Sequence, residues 1–403
     1  SAALVEKREA AAAALRADAA ALAAEQAALS GAAARRMYAW LISVQQPRTG
    51  LVLSYQDEEQ LPDVGYTYDQ ALSAFAFIHF RDTARAERIF EFYRGRADRI
   101  DGGFAAAYDV RSGRIAEYTA SSGPPIYLAL AMLAYEKQTG RTTNRRTVEE
   151  IAGWLLRQQQ AHPSGAIPGG AALQWVSCEQ NIAGAVLFTR LADITAEPRY
   201  VAAAEKIAAW VRREGYNQRL QRFNRGQDDR MIASDVAALG ILAFGGERLA
   251  EWGIGVEDIV RSVEDNCRAQ VRLRTAGGQT LCVQGFDFCA PSSIGRAGTI
   301  AVEWTAQMIL AFHELAEFYQ IRRDTRARHY RQKALFYQKE LDKLMRFPAE
   351  GAAISERYAA LPYAADSYVD TGHGWQTPRN TALSVAGTVF AIFAREKYNI
   401  FRQ

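Results

Sequence analysis

Four carboxylates stand out by their positions. Asp69 in TYDQALSAFAF, Glu179 in CEQNIAGAVLF, Asp235 in ASDVAALGILAF and Glu303 in VEWTAQM each open a nearly apolar, small-residue segment. An acid is rare on such a segment unless it is paired or functional. A single acid at a helix start is explained as a capping or first-turn group, favoured by the positive end of the helix. Four of them weaken that explanation, because capping does not require carboxylates. Carboxyl groups gathered in one place suit general acid–base chemistry, one giving a proton while another takes one. Asp228 and Asp229 precede the fourth segment, and Asp229 joins Asp235 as a candidate for binding or orienting a substrate.

The elements that must position these acids are helices. Tryptophans mark a rhythm: Trp40 in MYAWLI, Trp154 in IAGWLL and Trp210 in IAAWVR, spaced by 114 and 56 residues. Asp69, Glu179 and Asp235 keep similar time, at 110 and 56. A fixed period of this length marks a repeated supersecondary unit, here a helical hairpin. One class of segment is amphipathic: 33–46, 84–97, 145–160, 197–213, 255–271 and 325–346. The other is apolar all round: 67–80, 123–136, 178–192, 231–245, 300–318 and 379–396. Apolar helices are buried and amphipathic ones cover them. Six inner and six outer helices in alternation predict an all-α toroid of six hairpins over 33–403. The alternative is an open two-layer solenoid, which has a more uniform repeat. Long stretches at 97–122 and 271–299 precede inner helices, with strand-like runs GGFAAAYDV and TLCVQGFDF. Residues 1–32 are alanine-rich, with Leu15, Leu22 and Leu29 every seven residues. They predict a separate helix, lying on the body or self-associating through a thin seam.

This pattern resembles the (α/α)6-barrel carbohydrate-active enzymes, which include glycoside hydrolases and polysaccharide lyases. The resemblance rests on the hairpin count, on the acids of TYDQAL, SCEQN and VEWTAQM, and on the polar, aromatic run TGHGWQTPRN that feeds the last inner helix. It implies parallel inner helices whose N-terminal ends form one mouth, a carbohydrate substrate and no cofactor or metal.

Rings near the acids suit sugar faces, with hydroxyls left to bond the carboxylates. Trp175, Trp304 and Trp375 are expected at the mouth, with Tyr66 and Tyr68 beside Asp69 and with Tyr118 and Tyr127 beside the second inner helix. Trp40, Trp154, Trp210 and Trp252 are expected on outer helices as structural residues. Glycosidic hydrolysis needs a carboxylic acid for the leaving oxygen and a second carboxylate. Glu303, flanked by Val302 and Trp304, is the first candidate for the acid, because an apolar shell raises its pKa. Asp69 is the candidate base and Glu179 the reserve for either role. The resemblance makes inversion the default outcome. A lyase acting on a uronate would instead use His373 or a tyrosine such as Tyr66 or Tyr68 as base, with Arg379, Asn380 and Asn181 near the sugar carboxylate. An epimerase on the same barrel would want a histidine pair, and of the histidines only His373 is well placed. A non-catalytic toroid binding a partner in its cavity is the remaining class.

Composition narrows the field further. Lys and Arg number 48 against 45 Asp and Glu, so phosphate-driven nucleic-acid binding is disfavoured. No apolar run reaches the roughly 18 residues of a membrane span. Phosphate-loop, zincin and serine-elbow motifs are absent, and Asp228-Asp229 lack a calcium loop. Cys282 and Cys289 either pair across a hairpin or stand with Cys178 and Cys267 as free thiols. The chain starts Ser-Ala-Ala, as expected of one from which a leader or anchor has been removed. A polysaccharide substrate favours the periplasm or the exterior.

Overall fold

An all-apolar helix has to be covered on every side, and the chain supplies the cover in alternation. The computed structural model describes residues 31–274, 278–347 and 357–403, together with 13, 17, 21, 349, 350, 353 and 354. In chain order the helices are α1 (31–43), α2 (Thr67–His79), α3 (Thr83–Gly95), α4 (Gly123–Thr139), α5 (Arg145–Ala161), α6 (Cys178–Thr195), α7 (Pro198–Trp210), α8 (Ser234–Glu251), α9 (Val256–Asn266), α10 (Val302–Ile321), α11 (Arg326–Asp342) and α12 (Val385–Glu396). The even-numbered helices form the inner layer. Each packs on the next, and α12 returns to α2. That closure makes the fold an (α/α)6 barrel rather than an open solenoid. The alanine-rich segment 1–32, with Leu15, Leu22 and Leu29, lies almost wholly outside the described residues.

The two layers differ as their patterns require. On α9 the buried residues Val256, Ile259, Val260 and Val263 form one stripe at helical spacing. On α10 every residue from Val302 to His313 is buried. Trp40, Trp154 and Trp210 sit fully buried where the outer helices face inward. Trp252 does not belong with them. It caps α8 beyond a break at Gly245, with its ring 4.7 Å from that of Phe244.

At two helix boundaries strand pairing takes residues expected to be helical. The outer helix expected over 255–271 stops at Asn266, and Arg268–Arg274 pairs antiparallel with Thr280–Phe286. RAQVRLR buries Ala269 and Val271 at a period of two, which is strand spacing. The last inner helix begins at Val385 rather than 379. Leu383 and Ser384 pair antiparallel with Gln56 and Tyr55 instead, and the Ser384 hydroxyl then caps the helix by accepting from Gly387 N–H. All four cysteines are free: Cys178, Cys267 and Cys289 are buried and Cys282 is exposed.

The 56-residue period also appears in the rim. Ser121 bridges Gly170, and 56 residues later Ser177 bridges Gly226. A Cβ on Gly170 would lie 2.3 Å from the Ala120 carbonyl oxygen, and one on Gly226 would lie 2.3 Å from that of Val176. Backbone cannot yield there as a side-chain end could. Gly226→Ala should therefore cost about 1–3 kcal/mol, the scale of overpacking, read as a lower urea midpoint. An unchanged midpoint would mean that the rim gives way freely.

Candidate active site

Each acid-bearing helix begins where a rim loop takes up its first N–H. Thr67 N–H donates to the Ala106 carbonyl (2.8 Å), Cys178 N–H to Arg225 (2.8 Å), Ser234 N–H to Phe288 (3.3 Å) and Val302 N–H to Tyr363 (3.1 Å). On α6 the Ser177 hydroxyl caps as well, accepting from Gln180 N–H. The first N–H of each helix is thus satisfied without the carboxylates, although Asp235 also accepts from backbone N–H groups at its helix start, its own and that of Val236. Asp69, Glu179, Asp235 and Glu303 all lie in first turns.

Glu303 is the acid that senses the other three. It is buried, and burial first, then the charges of Asp69, Asp235 and Glu179, push its pKa up to about 8 against a lowering hydrogen bond from Tyr68. That phenol donates to Glu303 Oε1 at 2.6 Å, and Gln307 Nε2 donates to the same oxygen at 3.0 Å. A matching pair lies beside it: Tyr127 donates to Glu179 Oε1 at 2.7 Å. The two tyrosine rings meet edge to face, 5.0 Å apart. Burial raises Glu179, and Tyr127 partly offsets it. Asp69 is buried and rises to about 7, moderated by the Ser54 hydroxyl. Asp235 also rises to about 7, through burial and then Glu179, and its Oδ1 is buried without a hydrogen-bond partner.

Aromatic groups from the last rim loop and the loop before α10 stand over this cluster. Tyr363 is buried within electrostatic reach of Glu303, Asp69 and Asp235. Phe288 stacks on it at 5.4 Å, and Tyr55 meets it edge-on at 6.1 Å. Trp375 Nε1 donates to the Tyr363 hydroxyl at 3.3 Å. His373 lies edge-on to Trp304 at 4.8 Å, and burial, with Arg225 nearby, pushes its pKa down to about 4. At neutral pH it is an uncharged imidazole. The loop carrying it is clamped by Arg225 on the Gly372 carbonyl and by Arg296 on that of Asp370.

The remaining predicted residues divide by their partners. Trp304 is only 6% exposed, so it is a wall rather than an open stacking face, whereas Trp375 (47%) and Trp175 (53%) are accessible. Tyr66 is half-buried against Tyr55, and Tyr118 stands 78% exposed. Asp229 is paired with Arg225 at 2.6 Å. Arg379 is engaged with Glu59 and the Asp57 carbonyl, while Asn181 and Asn380 bond the carbonyls of Ile167 and Ala365. Tyr363, Gln307 and Ser54 were not singled out by sequence. Gln307 was within reach, one helical turn after Glu303. Among the described residues no cluster of His, Cys, Asp and Glu is arranged to hold a metal ion. No helix there is long and apolar enough to cross a membrane.

No family model and no curated protein matches the sequence. Solved structures do match. A wild-type glycosidase superposes with a TM-score of 0.64 over 93% of this chain and 98% of its own, at 13% identity. A D-mannose isomerase gives 0.61 over 91% and 96%, also at 13% identity. The cellobiose 2-epimerase of Bacillus thermoamylovorans B4167 gives 0.59 over 89% and 95%, at 9% identity. The chain has the (α/α)6-barrel fold of these carbohydrate-active enzymes. At such identities the likeness is one of fold, and chemistry has to be argued from the acids themselves.

Proposed function

We propose that this barrel is a glycoside hydrolase acting on a neutral oligosaccharide or polysaccharide. The observation that carries the reading is Glu303, an acid held by Tyr68 and Gln307 among three other carboxyl groups and protonated at neutral pH. In this reading Glu303 gives its proton to the glycosidic oxygen as the bond to the anomeric carbon breaks. A water attacks that carbon and loses its proton to Asp69, with inversion as the outcome the resemblance implies. Glu179 and Asp235 bond sugar hydroxyls, and Trp375 and Trp175 offer ring faces to further sugars.

The lyase alternative fares less well. The carboxyl groups of the cluster that ionise near neutral pH oppose a uronate, and the cation and amides that would neutralise one are engaged elsewhere. Tyr68 is pushed well above the usual tyrosine range by burial and then by Glu303, so it stays a phenol and little phenolate is present to take a proton. An epimerase relay would need a second histidine beside His373. His79 and His313 lie on α2 and α10 away from their first turns, His329 on α11 and His162 at the end of α5.

The test is a panel of neutral and acidic glycans. It is followed by reducing-end formation, by absorbance of unsaturated uronates and by chromatography of free sugars. New reducing ends without the chromophore support hydrolysis. The chromophore, or a free sugar converted to its isomer, overturns it, and silence on every glycan favours a binding protein. Trp375→Ala should weaken glycan binding by about 1–3 kcal/mol, a large apolar contact, with the melting temperature unchanged. Trp304→Ala should instead cost about 3–5 kcal/mol of stability, as a buried ring does. Equal effects of the two on stability would remove Trp375 from the binding surface.

A further inference from the structure

Opposite the acids, the bore of the ring is filled by the residues that follow α12. Tyr398 lies against His79 at the end of α2, their rings 4.6 Å apart. Asn399 Nδ2 donates to the Leu242 carbonyl on α8 (2.9 Å) and to Glu314 Oε1 on α10 (3.0 Å). The Ile400 carbonyl accepts from Arg190 on α6 at 3.3 Å. Phe401, buried, brings its ring to 6.1 Å from that of Tyr127 on α4. Four consecutive residues thus reach all five of the other inner helices. Tyr127 lies in the second turn of α4, so Phe401 stands well up the axis from the ends where Tyr398 sits.

We propose that segment 397–403 is the floor of the candidate active site, with Phe401 a positioning residue that holds the Tyr127 phenol on Glu179. The proposal rests on reading the acid cluster as that site. The Tyr127 ring meets two others, Tyr68 edge-on at 5.0 Å and Phe401 tilted at 6.1 Å. Its hydroxyl makes a 2.7 Å bond to Glu179. A buried ring packed against such neighbours keeps one rotamer, and removing one of them opens space into which it can turn. Turning takes the phenol off the carboxylate. A floor that merely filled volume would leave that bond intact when its own shape changed.

The experiment follows the Glu179 carboxyl by carbon-13 NMR in the full chain with labelled glutamate, its signal assigned by loss in Glu179→Gln. Tyr127→Phe removes the hydrogen bond that favours the ionised form, so the Glu179 midpoint moves up. Phe401→Ala should move it in the same direction, and Phe401→Leu, which keeps most of the volume, should do so by less. Adding Phe401→Leu to Tyr127→Phe should then produce no further shift. If Phe401→Ala does not fold, Phe401→Leu and the double variant decide alone. A Glu179 midpoint unmoved in the Phe401 variants, or shifts that add in the double variant, would overturn the proposal. No substrate is needed. A barrel that turns over no glycan therefore sinks the hydrolase reading, while the titration still decides the floor.

Discussion

Glu303→Gln should lower turnover of an unactivated glycan by two to four orders of magnitude, roughly what general acid–base catalysis supplies. The amide keeps the volume, and Tyr68 and Gln307 can still meet its oxygen, but it has no acidic proton to give. A substrate whose leaving group needs no protonation should be far less affected. Asp69→Asn should slow both kinds of substrate, because water still needs a base. The pH profile carries the same information. With Glu303 at about 8 and Asp69 at about 7, the form with one protonated and the other ionised peaks between those values. The parent profile should be a narrow bell there, and Glu303→Gln should lose its alkaline limb. Near-normal rates in Glu303→Gln, with loss in His373→Ala or Tyr68→Phe, would transfer the chemistry to elimination.

Asp235→Asn should stabilise the protein by about 4 kcal/mol at pH 8 and by only about 1.5 kcal/mol at pH 5. The folded protein holds the Asp235 proton up to about 7, whereas an unfolded chain releases it near 3.9. Between those values the native state binds more protons, so its stability falls as pH rises. Each unit costs about 1.36 kcal/mol per group, and Asp69 and Glu303 add in the same sense. Buried His313 and His373, depressed to about 3 and about 4, tilt the profile oppositely up to the ordinary histidine range. The variant-minus-parent difference removes them. Urea midpoints at pH 5 and pH 8 measure it, and a difference that does not grow with pH would show that Asp235 is ionised at no cost.

Much of this was legible because helices announce themselves by period. The alternation of amphipathic and apolar segments depends on a local property, the face a helix turns outward. The first-turn acids were visible because a carboxylate is conspicuous among Ala, Leu and Phe. What pairs with them was less visible. Tyr68 and Glu303 are 235 residues apart and meet only because the ring closes. Tyr363 comes from an irregular stretch with no period to mark it, and nothing about Phe401 in sequence says that it lies on the axis. The boundary at 268 was missed because RAQVRLR follows directly on a helix, and four or five residues are too few to separate a period of two from one of 3.6.

The contact of α12 with α2 has a counterpart in the backbone. Tyr55–Gln56 pairs with Leu383–Ser384, and Ala359 N–H donates to the Arg36 carbonyl, so the first and last hairpins are stitched by main chain. In an open array the outermost units have one neighbour each, and their amides exchange with solvent first. Here α2 and α12 each have an inner neighbour on both sides. Opening any one hairpin strips partners from two others, and no hairpin serves as the place where fraying starts. Amide protection should then run nearly level around the ring, with loss of structure spreading from a rim loop rather than from either end of the helical succession.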